Sequence, residues 1–123
     1  MYTVDTNILI YHANGDKKVV DFLTAQFARE APLFLPAVVL VEFFSFPALT
    51  PEAERVFKSL LNYFVIVSLD YSTTLEAATV RKTYRLKLGD SIIAACALMK
   101  KIPLITRNVR DFKKVNGLEV IDI

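Results

Sequence analysis

The chain has 123 residues, enough for one domain and too few for two. Its apolar fraction of 54% is high for so small a domain, which implies that part of the apolar surface faces a partner chain. The formal net charge of +2 is too weak by itself to mark a nucleic-acid binder, and the charge-free run Ala31–Val41 is broken by Pro32 and Pro36, far short of the ~20 apolar residues of a membrane span.

From the amino end, Tyr2–Val4 reads as a strand. No basic and then apolar segment precedes it, and Asp5 stands where a secretion signal would be apolar, so no export is expected. Thr6 or Asp5 can cap a helix through Ile8–Tyr11 that stops near Asn14-Gly15. Asp16–Glu30 is a second helix, with Val19, Val20, Leu23 and Phe27 near the helical period. Leu33–Leu35 is a short strand. Pro36 opens a helix over Val38–Phe46 that Pro47 ends, apolar except for Glu42 and Ser45. Thr50-Pro51-Glu52 starts the next helix, which carries Val56, Phe57, Leu60 and Leu61.

Phe64–Val67 is a third strand, fully apolar. Asp70 or Ser72 caps a long helix to about Leu86. Gly89 can start the following helix, with Asp90 in its first turn, where a negative side chain suits the free N–H groups. Ile92–Met99 is apolar on every side and therefore expected to be buried on every side. Pro103 blocks continuation, and Leu104-Ile105 suits an inner strand of a parallel sheet. A turn around Val109–Lys113 and a last strand over Leu118–Ile121 complete a single domain, 1–123. Strands alternating with helices predict an α/β fold with a mostly parallel sheet.

Four acids stand out. Asp5, Asp90 and Asp111 each fall at a strand end or helix start, positions that a parallel sheet gathers along its carboxyl edge. Glu42 lies among Val38–Val41 and Phe43, Phe44 and Phe46, where a lone carboxylate must be paired, protonated or metal-bound. Each has a plainer role available: Asp5 and Asp90 as helix caps, Glu42 as an arginine's partner, Asp111 as a surface residue. Taken together, several carboxylates in one place need a cation. Oxygen ligands without His or Cys point to Mg²⁺ or Mn²⁺. His12 is expected at a helix end or the surface. Cys96 is expected in the core, and as the only cysteine it suits a reducing cytoplasm. With the four acids set aside the rest of the chain is distinctly basic. Arg81, Lys82, Arg85 and Lys87 lead to Asp90, and Arg107, Arg110, Lys113 and Lys114 flank Asp111. Basic groups around an acidic metal pocket suit a phosphodiester substrate, with a solvated charged face as the plainer alternative.

The blocks VDTN at 4–7, Glu42 in an apolar helix, GDSIIAACAL at 89–98 and TRNVRDF at 106–112, in that order and spacing, resemble the PIN-domain ribonucleases, and the chain is similar to VapC-type toxins of toxin–antitoxin pairs. The resemblance covers nearly the whole length. It implies an α/β/α sandwich around a central parallel sheet and Mg²⁺- or Mn²⁺-dependent cleavage of RNA. It places Asp5, Glu42, Asp90 and Asp111 as metal-binding and catalytic acids, with Thr6, Asn7, Thr106 and Asn108 in support. Arg85, Lys87, Arg107 and Arg110 are then expected at the substrate, with Arg107 or Lys87 beside the charge that develops at phosphorus. The resemblance further implies a homodimer and a small antitoxin, for which Phe43, Phe44, Phe46, Pro47 and Leu49 offer an apolar surface. Two rivals remain. An aspartyl-nucleophile phosphatase or phosphotransferase would share the first Asp but needs an acid where Asn7 stands. A PIN-like module that only binds RNA or protein would have lost its acids, and all four are present.

Overall fold

A computed structural model describes every residue, 1–123. The elements run β1 (Tyr2–Val4), α1 (Thr6–Ala13), α2 (Lys17–Ala28), β2 (Leu33–Pro36), α3 (Ala37–Phe44) and α4 (Pro51–Leu60). A one-turn 3₁₀ helix at Leu61–Tyr63 leads to β3 (Phe64–Val67), α5 (Tyr71–Tyr84), α6 (Leu88–Lys100), β4 (Leu104–Ile105), α7 (Val109–Phe112) and β5 (Val120–Ile121). Five strands form one sheet in the order β3-β2-β1-β4-β5, and every neighbouring pair is parallel. Right-handed crossovers then set α1–α4 on one face and α5–α7 on the other, an α/β/α sandwich. No helix is long and apolar enough to cross a membrane.

Local chemistry accounts for most boundaries. Asp5 has extended backbone and accepts from Thr6 N, so it, not Thr6, is the cap of α1. Asp16, Thr50 and Asp70 cap α2, α4 and α5, each accepting from the backbone N–H three residues on. Helix α3 ends at Phe44, two residues earlier than its apolar run suggests. Ser45 Oγ turns back to Val41 O at 2.6 Å, and Pro47 has no N–H with which to continue. Helix α6 begins at Leu88 after Lys87, so Gly89 lies inside it rather than at its start. The last strand is shorter than expected and begins at Val120.

The core is continuous across the sheet. Val4, Leu33, Leu35, Leu104 and Ile105 have no exposure, and Ile8, Val39, Phe43 and Ile93 pack with them. In α6 every residue from Ser91 to Ala97 is buried, as an all-apolar helix requires. Strand β3 is an edge strand, so although its four residues are apolar, Val65 and Ile66 remain 47% and 43% exposed. Tyr71 and Leu75, at the start of the next helix, are exposed as well. Part of the apolar excess therefore lies on β3 and α5.

From β1 the chain moves outward through β2 to β3, then crosses back to β4 on the other side of β1. The order reverses between β1 and β4, and the carboxyl ends flanking such a reversal open a crevice. Asp5 follows β1 and Thr106 follows β4 at that crevice.

Candidate active site

Asp5 is the innermost acid, 4% exposed. Its Oδ1 accepts from Thr6 N at 2.7 Å and its Oδ2 accepts from Thr106 Oγ1 at 2.6 Å. Burial pushes its carboxyl up to about 6. The bonds from Thr106 and Thr6 N oppose that rise, and the charges of Asp90 and Glu42 add to it. Thr106 holds the arrangement together. Its hydroxyl donates to Asp5 and accepts from Asn108 N at 2.9 Å and Asn7 Nδ2 at 3.3 Å, using its one donor and both acceptor sites.

Because Asp5 caps α1 itself, the Thr6 hydroxyl is free to reach across to α3, where it donates to Glu42 Oε1 at 2.7 Å. Glu42 is half-buried, and no arginine or lysine pairs with it. Val39 and Phe43, on the same helix, are buried in the core and Val41 is exposed, while the Glu42 carboxylate faces the crevice. Asp90, in the first turn of α6, is also half-buried. Burial raises its pKa first, then the negative charges of Glu42 and Asp111, while Lys87 acts the other way. Asp5, Glu42 and Asp90 line one open groove of about 470 Å³, together with Thr6, Asn7 and Asn108. Asp111 on α7 lies near enough for its charge to act on Asp90, but it does not line this groove.

The groove contains three carboxylates: the charges of Asp90 and Glu42 oppose the ionisation of Asp5, that of Glu42 opposes the ionisation of Asp90, and the only cation that lines the groove is Lys87. No three acid, His or Cys side chains are grouped closely enough to cage an ion by themselves. An all-oxygen donor set of this kind fits a hard divalent ion that keeps several of its waters, as Mg²⁺ does.

The basic residues divide. Lys87 is exposed and lines the groove, and Arg85 and Arg110 are exposed. Arg107 does not take the substrate position expected of it. Its guanidinium forms two bonds to Asp16, 2.7 and 2.9 Å, donates through Nε to Ile123 O, and stacks 4.3 Å over the Tyr11 ring. It fastens the loop after β4 to the start of α2 and the chain terminus. In the sequence Asp16 has no visible role beyond the start of a helix, since 91 residues separate it from Arg107. The Phe-rich segment also divides. Phe43 is 1% exposed and packs 4.5 Å from Phe57, so it belongs to the core rather than to a partner surface. Phe46 and Pro47 line the acidic groove, together with Ile10 and Ser45.

Known structures share this architecture. A chain of the VapBC2 complex from Rickettsia felis, bound to a promoter DNA fragment, matches with a TM-score of 0.84 over 99% of this chain and 98% of that one, at 19% identity. A chain of a toxin–antitoxin complex from Klebsiella pneumoniae matches with a TM-score of 0.79 over 98% and 96%, at 28% identity. VapBC-1 from nontypeable Haemophilus influenzae gives 0.78 over 98% and 96%, at 23% identity. No curated protein sequence matches. The PIN-domain family model matches residues 2–118, through every element that shapes the groove, and the chain therefore belongs to the PIN-domain family.

Proposed function

We propose that this protein is a divalent-metal-dependent endoribonuclease, the VapC-type toxin of a toxin–antitoxin pair. The observation that carries the reading is the convergence of Asp5, Glu42 and Asp90, distant in sequence, on one groove at the sheet's reversal point. Membership of the PIN-domain family and likeness to toxin–antitoxin complexes support it.

Asp5, Glu42 and Asp90 would hold the ion, Mg²⁺ or Mn²⁺, with Asp111 at the margin beside Asp90. When bound, such an ion makes water a nucleophile near neutral pH and polarises the phosphodiester. The protein's own groups do the positioning. Thr106 and Thr6 N orient Asp5, each leaving a lone pair on the oxygen it bonds. Thr6 Oγ1 orients Glu42. Asn7 and Asn108 pin Thr106 in turn. Lys87 offers a cation to a phosphate at the groove, and Arg85 and Arg110 extend that positive rim. An antitoxin segment would block the same groove, and the exposed apolar residues of β3 and α5 suit a second copy of the chain. The protein would work in the cytoplasm, where its target RNA lies. Asn7, which stands where an aspartyl-nucleophile enzyme needs an acid, is occupied by Thr106 and Arg107 N, so that rival gains no support.

The test is cleavage of single-stranded RNA by the purified protein. Cleavage should require Mg²⁺ or Mn²⁺, stop with EDTA and return on adding Mn²⁺. Asp5→Asn and Asp90→Asn should each lower the rate by roughly a hundredfold or more, with the circular-dichroism spectrum unchanged. Cutting that persists in EDTA, or Asp90→Asn cutting at the parent's rate, would overturn the assignment.

A further inference from the structure

Two of the three glycines sit where the backbone demands them, Gly15 at φ +77° and Gly117 at φ +83°. Gly89 does not. It is the second residue of α6 with ordinary helical geometry, where alanine would make the helix more stable. Space explains it. A Cβ on Gly89 would lie 2.8 Å from Glu42 Oε2, 3.2 Å from Cδ and 3.3 Å from Oε1. The whole carboxylate of Glu42 rests against the bare Cα of Gly89, while Thr6 Oγ1 holds Oε1.

We propose that Gly89 is a positioning residue: its missing side chain is the seat that brings the Glu42 carboxylate from α3 up to α6, one residue from Asp90. The consequence for metal binding rests on the nuclease reading, whereas the seat itself does not. The atoms that a Cβ would meet are the tip of a flexible side chain, so alanine displaces Glu42 and leaves the helix in place. A shorter acid would escape the clash, which predicts a specific pairing between positions 89 and 42.

The experiment compares the parent, Gly89→Ala, Glu42→Asp and the double variant, purified metal-free. The readouts are a crystal structure of metal-free Gly89→Ala, Mn²⁺ affinity by calorimetry and cleavage of single-stranded RNA. In Gly89→Ala we expect a melting temperature no lower than the parent's, Glu42 moved off Thr6, and Mn²⁺ affinity weakened roughly 10- to 100-fold. Alanine at 89 should cost Glu42→Asp far less Mn²⁺ affinity than it costs the parent. Glu42 still bonded to Thr6 in the Gly89→Ala structure overturns the proposal. So does an unchanged Mn²⁺ affinity in that variant when the parent binds the ion, or an equal loss in both backgrounds. Unfolding of both alanine-bearing variants overturns it too, since the glycine would then be supporting the helix. Should the parent bind no Mn²⁺ and cut no RNA while Gly89→Ala displaces Glu42, the seat stands and the nuclease reading falls.

Discussion

At the scale of single residues, the site depends on one hydroxyl. Thr106 Oγ1 makes three hydrogen bonds, and no other side chain donates to Asp5. Thr106→Val keeps the shape but leaves Asn108 N without its partner and removes a bond that holds the Asp5 pKa down. Orphaning a buried donor costs about 1–3 kcal/mol, and Asn108 N, only half-buried, should cost toward the low end. The sign of the pH effect follows. The ionised Asp5 is the form that binds a cation, so Mn²⁺ binding should rise with pH through about 6 in the parent. In Thr106→Val the midpoint should move to higher pH, as calorimetry across a pH series would show. A midpoint that stays in place would mean that Thr106 does not set the ionisation of Asp5. Arg107 shows how a residue's role can invert. An arginine beside an acidic site reads as a substrate contact, yet its planar fork matches the Asp16 carboxylate and its face lies on Tyr11.

At the scale of elements, α6 does two jobs at once. Its amino end presents Asp90 and seats Glu42, and its body fills the sandwich with Ile93, Ala94 and Ala97, none of them exposed. The small residues let α5 and the sheet approach closely. Ile93→Ala should therefore cost about 2–5 kcal/mol in urea unfolding, within the usual range for a buried isoleucine. A cost below about 1 kcal/mol would show that this layer is loosely packed. Much of this architecture was legible in the sequence because its causes are local. The caps Asp5, Thr50 and Asp70, the proline stops and the all-apolar run of α6 are read within a few residues of where they act. Lateral strand order has no such local cause. Phe64–Val67 is apolar enough for a central strand and lies at the edge, because nothing in four residues says how many neighbours they have. Seating Glu42 on Gly89 was equally illegible, since a helical glycine looks like a helix start until α3 is folded against it.

At the scale of the whole molecule, gathering negative charge at one crevice opposes folding, and a cation reverses that. Asp5 titrates near 3.8 when unconstrained and about 6 in the folded chain. A carboxyl whose folded pKa is raised binds its proton more tightly when folded. Its contribution to stability is complete below about pH 4 and is lost as pH rises through about 6. The rise from 3.8 to about 6 corresponds to about 3 kcal/mol. Metal-free protein should therefore lose stability between pH 4 and pH 7 relative to Asp5→Asn, which keeps a good helix cap and carries no titrating group. Mn²⁺ should recover what ionisation removed, because it binds the folded state alone. The rise in melting temperature on replacing EDTA with Mn²⁺ should thus be large at pH 7.5, small at pH 4.5 and nearly absent in Asp5→Asn. His12, with its lowered pKa, acts in the opposite direction, and so do Asp16 and Asp70 at lower pH. All three remain in Asp5→Asn and cancel in the comparison. If the Mn²⁺ effect were the same at both pH values, the ion would be binding somewhere other than the crevice that Asp5 closes.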